Sequence, residues 1–164
     1  MIPNPVFIET FKTFKANAVP MPFAELYGAL ENKAVDGQEN PYAVILSSKL
    51  YEVNKFVSET NHVYATNPIQ ISKRFWEKLT PAEQKLLQDA ATEAQNYQRV
   101  ASREVSSKAV AELKAKGMVH NEIPAAEQAR MRAAVKAVHD KFAAAYEPAV
   151  VNLFRTELER VSKL

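Results

Sequence analysis

Thr80-Pro81-Ala82-Glu83 opens a run, continuing Gln84-Lys85-Leu86-Leu87, that reaches Gly117 with no further proline and no glycine. A threonine with glutamate three residues on forms a capping box, and proline fits the first helical position. Leu86, Leu87, Ala90, Ala94, Tyr97, Ala101, Val105, Ala109 and Leu113 then recur at helical spacing. Gly117 suits the position just past a helix end. Ser102, Ser106 and Ser107 weaken the middle. A helix over residues 81–116 would be roughly 54 Å long at 1.5 Å per residue. A compact chain of 164 residues has a diameter of only about 40 Å. Two outcomes stay open: the helix breaks near Ser106, or it crosses to another lobe or chain.

Upstream of Thr80 the pattern changes. Asn4-Pro5 reads as an N-cap followed by proline, and Phe7, Phe11 and Phe14 share one helical face. Ala18-Val19-Pro20-Met21 reads as a short strand. Pro22 restarts a helix with Phe23, Leu26, Tyr27 and Leu30 inward. Ala34–Gly37 reads as a second strand, and Asn40-Pro41 repeats the cap-plus-proline signature before Tyr42–Ser48. Tyr51–Val57 reads as a strand, and His62–Ser72 as extended chain, Pro68–Ser72 alternating with period two. Ser72 is placed to cap a turn carrying Phe75, Trp76 and Leu79. Helices alternating with short strands indicate an α/β fold with parallel pairing. Downstream of Gly117, Met118–Ile123 is a further strand. Pro124–Tyr146 is a helix with Met131, Val135, Val138 and Phe142 inward. Pro148 begins a last helix with Val151, Phe154, Leu158 and Val161 inward.

Composition removes several function classes. The chain has 164 residues, a net charge of +2, three glycines and no cysteine. Disulfide frameworks, cysteine-zinc sites and thiol nucleophiles are excluded. No basic stripe points to nucleic acid, and no run of 18 apolar residues spans a membrane. No phosphate-cradling glycine loop and no GxSxG elbow occurs. His62, His120 and His139 are far apart in sequence with no HxxxH pairing, so no metal site is expected. No cofactor and no catalytic residue is expected.

Two polar clusters remain. Asp36-Gly37-Gln38-Glu39-Asn40-Pro41 lies between an expected strand and a helix start, where open α/β sheets bind ligands and helix amides face anions. Asn40 either caps its helix or donates a hydrogen bond to a carboxylate or hydroxyl. Asn61-His62-Val63-Tyr64 follows an expected strand and is either a polar strand face or part of a site. The first arginine is Arg74, so the first half lacks the bidentate anchor that a small-acid pocket usually uses.

Asn4-Pro5-Val6-Phe7, Pro20-Met21-Pro22-Phe23-Ala24-Glu25-Leu26-Tyr27-Gly28-Ala29-Leu30 and Val35-Asp36-Gly37-Gln38-Glu39-Asn40-Pro41 closely resemble the DctP-type solute-binding proteins of TRAP transporters. Tyr51-Glu52-Val53, Thr60-Asn61-His62-Val63-Tyr64 and Ile71–Leu79 continue the pattern in order. The resemblance implies a two-lobed periplasmic receptor that closes on a small organic acid, such as a C4-dicarboxylate or sugar acid, and docks on the membrane subunits. It implies ligand-binding roles for Asn40 and Glu39, and a place near the cleft for Asn61, His62 and Tyr64. It further implies that this chain is the C-terminal part of such a receptor. The N-terminal lobe, signal peptide and carboxylate-binding arginine are then expected upstream of Met1, and the long helix is expected to span both lobes. On that reading residues 1–79 form an α/β ligand-binding lobe, and residues 80–164 the spanning helix with C-terminal helices. The missing lobe becomes a candidate partner, and the 164 residues alone are expected to bind acid weakly or not at all. The competing functions are a helical protein-interaction module with no small ligand, and a hydrolase or transferase, which the missing motifs disfavour.

Overall fold

The computed structural model describes residues 3–64 and 66–161. The segments run in the order α1 (Pro5–Thr13), α2 (Leu26–Glu31), α3 (Tyr42–Ser47), β1 (Phe56–Glu59), α4 (Lys73–Trp76), α5 (Pro81–Ala115), β2 (Val119–Glu122), α6 (Ala125–Ala134), α7 (Lys136–Ala143) and α8 (Pro148–Val161). They form two compact units: Asn40–Glu122 is one, and the segments before and after it make the other. The residue 79/80 junction lies inside the first of these, because α3 packs on α5.

In the unit Asn40–Glu122, β1 and β2 pair in parallel with Val57 opposite His120 and Glu59 opposite Glu122. Parallel neighbours require a crossover, and α4 and α5 supply it. The α5 helix is continuous over 35 residues, so the break near Ser106 does not occur. Its start is closed by the capping box: the Thr80 N–H donates to Glu83 Oε2 at 2.7 Å, and the Glu83 N–H donates to Thr80 Oγ1 at 3.3 Å. Its end is a Schellman turn. The Gly117 N–H donates to the Lys114 carbonyl, the Met118 N–H donates to that of Leu113, and Gly117 takes φ 91°. The turn's apolar pair, Leu113 and Met118, is buried with Ile45, Leu50 and Ala109. Upstream of Ala109 the helix is far more open. Leu86, Leu87, Tyr97 and Val105, which recur at helical spacing, are exposed.

In the other unit α1 packs on α7. Asn4 caps α1 as expected, its Oδ1 accepting from the Val6 N–H at 2.8 Å. Leu26, Leu30, Val135 and Val138 are buried, whereas Phe23, expected inside, is 54 % exposed. Asp140 accepts from Lys136 at 2.6 Å and from Arg155 at 2.8 Å, which ties α8 to α7. The α8 face expected inward is exposed at Phe154, Leu158 and Val161.

Several expected elements differ. Residues 18–21 and 34–37 are not strands, because an extended segment becomes one only when a neighbour pairs with its backbone. The strand expected over Tyr51–Val57 begins only at Phe56, since Leu50–Glu52 forms a 3-10 turn. The described residues of the 62–71 stretch pair with no strand, and Ala65 lies outside the described residues. Ser72 occupies the N-cap of α4 without a side-chain cap bond. The helix expected over Pro124–Tyr146 is divided at Val135, whose φ −87° and ψ 0° fall in the bridge region.

Candidate functional site

The Asp36–Pro41 segment leads into α3. Pro41, with ψ 147°, is the N-cap of α3, and Tyr42 is its first helical residue. Asn40 therefore sits one residue outside the cap position, because the extended Pro41 displaces it. Glu39 and Asn40 are both half-buried. Asn40 belongs to the unit Asn40–Glu122, and Glu39 is the last residue before it.

The second cluster leaves the carboxyl end of β1. The Thr60 N–H turns back onto the Ser58 carbonyl at 2.9 Å, and Thr60 Oγ1 lies 2.7 Å from His62 Nδ1. Asn61 takes a left-handed φ of 46°, which asparagine tolerates better than most residues. Its side-chain amide donates to Glu59 Oε1 at 3.3 Å. His62 is half-buried, whereas Tyr64 is 93 % exposed. The segment follows the carboxyl end of a parallel strand, where ligand sites of such sheets lie.

A third contributor comes from β2. The side chain of His120 is 5 % exposed. Its Nε2 lies 3.4 Å from Tyr42 Oη and 3.6 Å from Glu59 Oε2, and the two rings are 5.9 Å apart at 55°. Burial and then the nearby Glu59 charge raise the Tyr42 pKa above its ordinary value. Tyr42, Glu59 and His120 were not among the residues expected from the sequence. Their contacts depend on strand register, and His120 is 78 positions from Tyr42 in the chain.

Amide, imidazole and phenol groups of this kind bind polar or anionic molecules through hydrogen bonds. Among the described residues no His, Asp or Glu cluster could hold a metal ion, and no helix is long and apolar enough to cross a membrane.

Residues 1–145 match the family described as bacterial extracellular solute-binding protein, family 7, or DctP. The chain belongs to that family, a family of solute-binding proteins rather than enzymes. It is 42 % identical over 115 residues to the 2,3-diketo-L-gulonate-binding periplasmic protein YiaO of Escherichia coli K12, covering 70 % of this chain and 35 % of the relative. A solved TRAP periplasmic solute-binding protein from Ochrobactrum anthropi aligns with a TM-score of 0.86 and 41 % identity, over 99 % of this chain and 51 % of that one. Another, from a Polaromonas species and bound to D-erythronate, aligns with a TM-score of 0.77 and 38 % identity, over 87 % of this chain and 46 % of that one. The small parallel sheet and the long helix thus match part of the fold of these binding proteins. The chain spans about half the length of these solved structures or less, and about a third of YiaO.

Proposed function

We propose that the chain is part of the substrate-binding component of a TRAP transporter. It would act in the periplasm with the membrane subunits and take a small carboxylate-bearing metabolite, sugar acids first among the candidates. The observation that carries this reading is the kinship with relatives whose ligands, 2,3-diketo-L-gulonate and D-erythronate, are both sugar-derived carboxylates. Asn40 is the proposed principal contact, donating its side-chain amide to the acid. Glu39, Asn61, His62 and Tyr64 complete the proposed site.

The unit Asn40–Glu122 offers no arginine before Arg74, so the acid meets amides and imidazole rather than a guanidinium fork. Binding by these residues alone is accordingly weak. Titration of the ¹⁵N-labelled chain with D-erythronate or 2,3-diketo-L-gulonate should move the signals of Asn40, Asn61 and His62 with millimolar saturation. Asn40→Ala removes a hydrogen bond to a charged group, about 1.5–3 kcal/mol, and should weaken that response roughly tenfold or more. An Asn40→Ala variant that binds like the parent would sink the site assignment, and a micromolar dissociation constant for the isolated chain would sink the expectation of weak binding.

A second reading draws on the exposed apolar side chains of α5 and α8: Leu86, Tyr97 and Val100 on one, Leu153, Phe154 and Leu158 on the other. These faces suit burial against further polypeptide, and the relatives' additional length is the proposed occupant. In the same titration, stable self-association without any acid response would favour a helical interaction module instead.

A further inference from the structure

We propose that His120 is a positioning residue that locks the Asn40–Tyr42 segment to the Glu59–His62 segment, so that the two halves of the proposed site keep one geometry. The inference rests on the reading of those segments as the ligand face. It is carried by a continuous chain of contacts within the unit Asn40–Glu122. The Asn61 amide donates to Glu59 Oε1 at 3.3 Å, the other Glu59 oxygen lies 3.6 Å from His120 Nε2, and that nitrogen lies 3.4 Å from Tyr42 Oη. Tyr42 is two residues from Asn40, and Glu59 is two residues from Asn61.

Register explains why β2 supplies the link. His120 stands opposite Val57 and Glu122 opposite Glu59. In register, paired residues of neighbouring strands share a face, and alternate residues along one strand do too. Glu59 and His120 thus lie diagonally on one face, within reach of long side chains. The same register places Glu122 opposite Glu59 on that face. His120 Nε2, 3.6 Å from Glu59 Oε2, gives that carboxylate a polar neighbour from β2.

Both segments are irregular backbone beside the ends of regular elements. Thr60 and Asn61 form a turn with a left-handed residue, and Asn40 precedes an extended proline. Any freedom a loop residue keeps must be given up on binding at an entropic cost. A buried imidazole touching both segments removes part of that cost before a ligand arrives.

The test uses ¹H–¹⁵N spectra of the whole chain. Tyr42→Phe deletes only the hydroxyl and does not touch Asn61. It should nonetheless shift or broaden the Asn61 side-chain amide signal. His120→Leu should disturb the signals of both Asn40 and Asn61, while those of Ala90–Tyr97 on α5 of the same unit hold still and report intact folding. His120→Gln, whose amide nitrogen reaches close to the position of ring Nε2, should restore both sets. Unmoved Asn61 signals in Tyr42→Phe would overturn the proposal, even if the leucine variant failed to fold. A glutamine variant as disturbed as the leucine one would also overturn it. These spectra need no ligand, so an Asn40→Ala variant that binds acid like the parent would count against the site assignment while leaving this test intact.

Discussion

Three helices end on a lysine in the left-handed region: Lys15 at φ 63°, Lys33 at φ 57° and Lys49 at φ 54°. Lys15 and Lys33 close full Schellman turns, with the Ala16 N–H reaching the Phe11 carbonyl and the Ala34 N–H reaching that of Ala29. Glycine is the usual occupant because a Cβ is disfavoured there by about 1–2 kcal/mol. A cation beside the negative end of a short helix offsets part of that cost. The chain has three glycines, and only Gly117 is used in this way. Lys33→Gly should therefore stabilise the fold by up to about 1 kcal/mol, the left-handed cost less the lost charge interaction. Thermal unfolding followed by circular dichroism checks it, and a lowered midpoint would contradict it. These helix ends were hard to read in the sequence because the residue that marks them is normally a surface charge. Asn40, Asn61 and His62 were singled out from the sequence only as polar residues beside expected strand ends and through the family resemblance. His120 carried no signal, since its neighbours arrive through the fold.

At the scale of elements, α5 is the segment whose sequence and structure agree best, since both its ends are fixed by local chemistry: the capping box at Thr80 and the Schellman turn at Gly117. The short strands were less legible because pairing is not a local property. Residues 56–59 became a strand by meeting 119–122, while the more apolar 18–21 segment is not one. The division at Val135 has no proline or glycine to announce it. The two ends of α5 differ in what holds them. Full burial begins only at Ala109, so the first turns depend on the cap. The backbone N–H and then the hydroxyl of Thr80 hold the Glu83 pKa below its usual value. A lowered folded-state pKa adds stability above the unfolded value, and that stability is lost as pH falls through the folded one. Amide exchange at Ala82–Leu86 should accelerate as pH drops below the ordinary carboxylate range, after correction for intrinsic rates, while Ala109–Leu113 stay protected. Equal protection of both ends in acid would contradict this. Thr80→Ala should produce the same fraying at neutral pH, at about 0.5–2 kcal/mol.

At the scale of the whole molecule, one unit is continuous in sequence and the other is assembled from the two ends of the chain. The contacts of α3 with α5 and of β1 with β2 close within Asn40–Glu122, whereas α1 must wait for α7. Closing a longer loop costs more entropy, and contacts that are distant in sequence form more slowly. Pulsed hydrogen exchange during refolding should find Ala109–Met118 and Phe56–Glu59 protected before Pro5–Thr13, and the reverse order would refute it. The same arrangement has a consequence during translation. A ribosome releases a chain in N-to-C order, so α1 emerges with its packing partner α7 still unsynthesised. Until α7 follows, the Phe7–Phe14 face of α1 is available to whatever holds nascent chains, while the central unit can already close behind it.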